Sequence, residues 1–297
     1  MAGITTSDFF VPKFYVPTIV EKIAQNSVIA TLTTSKPQLY TDESHVIMNT
    51  KPLAQYVGEG EAKGSTKPGL TEVKKKIFKL QTTVRLSDES KWADEDSQTY
   101  YLDQIFDTMT ESIAQGIDYG MIHGWNPAGA GTTTNLLEIA IANNATQVTA
   151  TGNHQADLDS LPDSVIEKLY RVNGVALDPM YANELRKLRI EATGAKVYPE
   201  LGLTLDPGTL DGLRAVVGES VGGAELGVST GVKAIMGNWD AIQWGVVRNI
   251  GLKPIEYGDP DGNGDLQKKN EIAYRVELVY AVTILDPKAF AVLKAAA

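Results

Sequence analysis

The chain has no cysteine among its 297 residues. That removes disulfide reinforcement, thiolate nucleophiles and cysteine-held zinc together. Histidine is nearly as scarce: only His45, His123 and His154 occur, in three separate stretches of chain. No acid, base and nucleophile grouping can be read from them. Neither a phosphate-cradling Gly-Lys-Ser/Thr loop nor a dinucleotide fingerprint is present. Positive charge is in deficit, with 27 Lys and Arg against 37 Asp and Glu and a formal charge of -10. Surfaces that grip DNA replace its condensed cations with Lys and Arg, so tight DNA binding is disfavoured, whereas an acidic wall enclosing DNA is not. No apolar run approaches the ~20 residues needed to span a bilayer. The opening MAGITTSDFF lacks the basic and apolar regions of a signal peptide. A cytosolic protein without a cofactor is expected.

What remains is ample for a core. Hydrophobic residues make up 43% of the chain, enough for one large domain or two smaller ones sharing strands. Residues 1–35 carry Phe9, Phe10, Phe14 and Tyr15 around Pro12 and Pro17, followed by a short helical pattern through Ile19, Val20, Ile23 and Val28. An aromatic segment of this kind cannot form a core alone and reads as an arm laid on the body or on a neighbouring copy.

From Leu53 to Glu89 the composition turns to Gly and Lys and then to a strand. Phe78, Leu80, Thr82, Val84 and Leu86 share one face at period two, with Lys75, Lys79, Gln81, Thr83 and Arg85 on the other. Gly58, Gly60, Gly64, Pro68 and Gly69 precede it, which suggests a long two-stranded excursion with a flexible tip. Isolated hairpins are marginal in water, so this one implies a partner surface. The lysines Lys63, Lys67, Lys74, Lys75 and Lys76 read either as a solubilising edge or as a positive ribbon that pairs with acidic patches on other copies.

A long helix should follow, capped by Asp96 or Ser97, with Leu102, Phe106, Met109, Ile113, Ile117 and Met121 as its stripe and Gly120 and Gly124 at its end. About 26 residues would make a rod of roughly 39 Å. His123 is expected to be a helix C-terminal residue favoured by the macrodipole. Further on, Asp159 or Ser160 before Pro162 should open a helix with Leu161, Val165, Leu169 and Val172 as its apolar set, and Asp178-Pro179 a second helix that stops near Gly194. Strands are expected over 213–217, 233–236 and 242–247, and over the alternation Ile272, Tyr274, Val276, Leu278, Tyr280, Val282. In DPDGNGDLQKKN, Asp259, Asp261, Asn263 and Asp265 fall at alternate positions with Gly264 sixth, a pattern similar to a calcium loop; however, Asn270 stands where a bidentate glutamate belongs. A solvated loop between two strands is the plainer reading.

The order of these parts resembles the Hong Kong 97-type major capsid proteins of tailed bacteriophages, over nearly the whole chain. The resemblance is carried by VRLSDES at 84–90, the helix ending in HGWNPAGAG, LGLTLDPGTLDGLRAVVGESV at 201–221, AIMGNWDAIQWGVVRNIGLKPIEYG at 234–258 and the closing AYRVELVYAVTILDPKAFAVLK. It implies an α+β fold divided into an arm and the start of a peripheral domain (1–50), an extended loop (51–90), a spine helix (91–133), an axial domain (134–233) and peripheral strands (234–297). It also implies a non-enzymatic subunit of a virion capsid, assembled in the bacterial cytoplasm from hexamers and pentamers of itself around double-stranded DNA. Portal and decoration proteins would accompany it, together with a separate scaffolding protein or none. Some members of the family join subunits through lysine-asparagine bonds, but no motif here identifies such a pair. An encapsulin-like compartment shell, a calcium-dependent binding protein and a hydrolase are the rival readings.

Overall fold

In the computed structural model, residues 26–41, 43–48, 52–65, 67, 69–97, 101–129, 132–133, 138, 140–227 and 229–296 are described. Along the chain run α1 (Val28–Leu32), β1 (Ser44–Met48), β2 (Leu70–Lys74), β3 (Lys76–Ser87), α2 (Asp88–Ser97), α3 (Tyr101–His123), β4 (Trp125–Asn126) and β5 (Thr132–Thr133). Next come α4 (Ile141–Asn144), β6 (Thr146–Thr149), α5 (His154–Ile166), β7 (Gly174–Leu177), α6 (Pro179–Lys187), β8 (Thr209–Leu210), β9 (Leu213–Val217) and α7 (Glu219–Gly222). The chain closes with β10 (Val232–Gly237), β11 (Ile242–Ile255), α8 (Leu266–Lys269), β12 (Glu271–Ile284) and β13 (Phe290–Lys294).

The spine is α3, whose 23 residues make a rod of about 34 Å. Its stripe is the expected one: Met109, Ile113, Ile117 and Met121 are buried, and Leu102 and Phe106 pack against the same core. Asp103, Asp107 and Glu111 lie on the opposite, exposed side. The helix ends where Gly124 turns left-handed at φ +70°, a conformation that glycine adopts without strain. Its start differs from the expectation. The Ser87 hydroxyl accepts the Ser90 amide at 3.2 Å and so caps a helix, α2, with Asp88 and Glu89 in its first turn. Asp96 and Ser97 lie within the span of α2.

Against α3 packs a three-stranded antiparallel sheet in the order β11-β12-β3. The alternating residues of β12 from Ile272 to Val282 are buried, and Tyr274 meets Phe106 edge to face at 5.4 Å. The β3 strand pairs with β12 from Ser87↔Glu271 to Lys76↔Val282. It is therefore part of this sheet and not the return limb of the excursion. That limb is β2, which pairs with β1 from Ser44↔Lys74 to Met48↔Leu70. The outer strand β11 tolerates Pro254 because an edge position leaves one side of the ladder without a required donor.

A second sheet has the order β6-β13-β10-β7-β9-β8. Its central β7 is buried at every position, and β13 enters it from the far end of the chain. Strands from both sides of the expected 233/234 boundary thus share one sheet. A Cβ on Gly237 would collide with the carbonyl oxygen of Ala289, so glycine is what allows β10 to approach β13. The α6 helix begins as expected, with the Asp178 carboxylate accepting the Met180 amide at 3.0 Å, but it ends at Lys187. The α5 helix begins earlier than expected, since Asn153 and not Asp159 or Ser160 caps it, through the Ala156 amide at 3.3 Å. Pro162 lies inside α5, and Leu169, placed with the apolar set by its spacing, is exposed beyond the helix.

Candidate assembly surface

The β1–β2 ribbon has one exposed face and one half-buried face. On one face the cross-strand pairs Ser44/Lys74, Val46/Glu72 and Met48/Leu70 are exposed at every position. Val46 and Leu70 each expose 63% of their surface and Met48 54%. The other face, with His45, Ile47 and Val73, is half-buried. Beyond the ladder stand Leu53 and Tyr56, both largely in solvent. The tip is ordered by its own polar contacts: Gln55 Oε1 accepts the Gly64 amide at 3.0 Å and the Glu61 carboxylate accepts the Gly58 amide at 3.3 Å. A two-stranded ribbon of this length cannot stabilise itself, and the exposed Val46, Met48 and Leu70 on one face mark a contact surface.

The five candidate lysines divide. Lys63, Lys67 and Lys74 are exposed on the ribbon and its tip. Lys76 forms an ion pair with Glu138 of its own chain at 2.6 Å. Lys75 is turned inward, which corrects its reading as an outward contact. Its ammonium lies 3.1 Å from Glu43, with only 2% of the side chain exposed, and donates to the Leu39 carbonyl at 3.0 Å. An ammonium on a flexible stem can be buried only where such oxygens converge. With hydrogen bonds from Thr41 and Lys75, Glu43 is held below the usual carboxylate range. The ribbon is thus rooted by an internal ion pair that residue spacing alone did not reveal. The arm candidates Phe9, Phe10, Phe14 and Tyr15 lie outside the described residues.

The calcium-like loop is occupied by the chain itself. Arg85, on β3, reaches Asp259 at 3.1 Å, Glu271 at 2.8 Å, the Gly264 carbonyl at 2.8 Å and both oxygens of Asp261. Asn263 donates to Asp261 at 3.0 Å, and Asp265 caps α8 through the Lys268 amide at 3.1 Å. The four expected ligands therefore do not converge on an empty centre, and the acidic charge is answered by a permanent guanidinium. Hydrogen bonds from Arg85 hold Asp261 well below the ordinary carboxylate range and raise the arginine further. Among the described residues no group of three or more His, Asp or Glu could hold a metal ion.

A further node ties α3 to the start of α1 and to α7. Asp118, inside α3, accepts hydrogen bonds from the Val28 and Ile29 amides and the Ser27 and Ser220 hydroxyls, between 2.6 and 3.1 Å. His123, little more than a turn further along, is buried, with Nε2 2.9 Å from the Ser220 carbonyl oxygen. Burial pushes its pKa down to about 4. It is therefore a neutral hydrogen-bonding residue and not the charged partner of a helix dipole.

These features describe a subunit with a long spine helix, two main sheets and a ribbon rooted by an ion pair and exposed on one face. The model of the phage capsid family matches residues 7–295, and the chain belongs to that family. A solved structure from Mycobacterium phage Ogopogo is 32% identical, with a TM-score of 0.80, covering 99% of this chain and 100% of that one. One from Gordonia phage Cozz is 29% identical, with a TM-score of 0.76, over 91% and 87% of the two chains. The capsid of an empty GTA particle, computed with C5 symmetry, shares the fold at 13% identity and a TM-score of 0.63, over 92% and 90%. No match is found among curated proteins. The fold is the Hong Kong 97 type, and the protein is a major capsid protein that self-assembles into the shell of the virion.

Proposed function

We propose that the copies assemble as hexamers and pentamers of an icosahedral head, with the six-stranded sheet around the capsomer axis and α3 with the three-stranded sheet at its periphery. The observation that carries this reading is the β1–β2 ribbon, whose Val46, Met48 and Leu70 side chains remain exposed on one face. Laid over an adjacent subunit, the ribbon supplies one of many modest interfaces that symmetry multiplies. The net charge of -10 suits a container that encloses double-stranded DNA without reading its sequence. Its role is architectural and not enzymatic. Assembly proceeds in the bacterial cytoplasm with a portal, with decoration proteins, and with a scaffolding protein encoded separately or with none. Deleting residues 58–69 tests the reading: the variant should keep the thermal unfolding of the body and fail to form closed particles in electron micrographs. Normal particles from the deletion would overturn the role assigned to the ribbon.

A further inference from the structure

Leu169 goes against two preferences at once. The Leu169 amide donates to the Ile166 carbonyl at 2.8 Å and the Tyr170 amide to the Val165 carbonyl at 3.3 Å, the pair of bonds that closes a helix in a Schellman cap. The residue at that position must turn left-handed, and Leu169 does so at φ +64°. Glycine or asparagine adopts this conformation readily, whereas the Cβ of leucine is forced toward a carbonyl oxygen. The side chain gains no burial in exchange, being 94% exposed beside Ile166 at 57%. Neither stability nor solubility accounts for a leucine here, so its use lies outside the single chain.

The surroundings indicate where. Lys168, next to the knob, hydrogen-bonds the Thr146 hydroxyl on β6, the strand at one end of the six-stranded sheet. Toward the other end β8 is only two residues long. There a groove of about 680 Å³ runs along β9, lined among others by Leu205, Val216, Val217, Asp206 and Glu219. Arg214, the one cation among its described lining residues, donates to the Thr31 carbonyl. From β6 to β9 is four strand spacings, roughly 19 Å. The knob reaches β6 through Lys168 while its chain runs on into β7, the groove is a separate patch along β9, and the exposed Arg171 beside the knob complements the two carboxylates of the groove.

We propose that this pair forms the head-to-tail contact between successive copies around a capsomer ring, with Leu169 and Ile166 of one copy seated in the β9 groove of the next and Arg171 facing Asp206 and Glu219. A ring requires two different patches on each copy, which is what the sheet presents. The inference rests on the capsomer reading given above.

Leu169→Gly separates the two roles of the residue. It relieves the backbone and removes the knob, so the unassembled subunit should melt at or above the wild-type temperature while particle yield falls about tenfold or more, the equivalent of one lost apolar anchor. Arg171→Glu should lower the yield as well, and combining it with Glu219→Arg should restore it. Normal particle yield from Leu169→Gly, a less stable subunit, or a double variant no better than the single one would each overturn the proposal. Failure of the wild-type chain to form particles would instead count against the capsomer reading.

Discussion

The carboxylate of Asp118, in the last third of the spine helix, accepts the hydroxyl of Ser27 at 2.6 Å from 91 positions away. Because the Val28 and Ile29 amides converge on the same carboxylate, it serves as an N-terminal cap of α1, and the Ser220 hydroxyl adds a donor from α7. Asp118→Ala would leave these buried donors unanswered. We expect a loss of about 3 kcal/mol in subunit stability, read by urea unfolding, with hydrogen exchange accelerated first over residues 27–33. Unchanged protection there would show that α1 is held by its apolar side chains alone.

The same carboxylate shapes the pH response together with His123. Burial raises Asp118 from 3.8 to about 6, although four hydrogen bonds oppose it. A raised acid stabilises the fold below its unfolded pKa, and that contribution is lost as the pH rises through the folded one. Burial lowers His123 from 6.5 to about 4, so its contribution is present above 6.5 and is lost as the pH falls through 4. Between pH 4 and 6 the two therefore oppose each other. Asp118→Asn should expose the histidine, adding acid lability of roughly 1 kcal/mol per pH unit in that window. His123→Gln should do the reverse, with stability rising on acidification. Parallel pH profiles for wild type and both variants would rule out the compensation.

How much of this was legible follows from how local each signal is. The Met109 to Met121 stripe and the Asp178-Pro179 start are set by residues within a few positions of one another, and both were read correctly. The start of α2 was missed because Ser87 looked like the end of a strand, and only its contact with the Ser90 amide makes it a cap. Leu169 fell in register with Leu161 and Val165, but the helix ends before the register carries it to the core. Asp118 was overlooked since it lies among apolar neighbours on α3, and its partners come from residues 27–29 and 220. The 259–265 loop kept a calcium-like spacing, but the cation that answers it is on β3, 174 positions before Asp259.

Lys75 provides a test of the ribbon's root. Replacing it with methionine keeps most of the stem's volume but removes the ammonium shared by Glu43 and the Leu39 carbonyl. Glu43 remains partly in solvent and can rehydrate, so the variant should lose only about 1–2 kcal/mol. The effect should appear at the ribbon: faster proteolysis between residues 39 and 75, and fewer closed particles, with the unfolding of the body nearly unchanged. Equal cleavage rates would mean that the β1–β2 ladder fixes its own direction.

Arg85 supplies the cation for a loop whose spacing suggests calcium. Three carboxylates and a carbonyl surround its guanidinium, and Arg275 adds a bond to the Pro260 carbonyl at 2.7 Å, so the loop is fastened to both β3 and β12. With its charge already balanced, the wild-type subunit should melt at the same temperature in EDTA and in millimolar calcium. Arg85→Gln leaves Asp259, Asp261 and Glu271 facing one another without the charge that held them together. This variant should melt lower, and the deficit should shrink at low pH, where protonation relieves the repulsion, and at high salt, where screening does. A wild-type melting temperature that falls on chelation would show that a metal shares the loop with Arg85. A deficit in Arg85→Gln that depends on neither pH nor salt would show that the arginine acts through the packing of its stem and not through its charge.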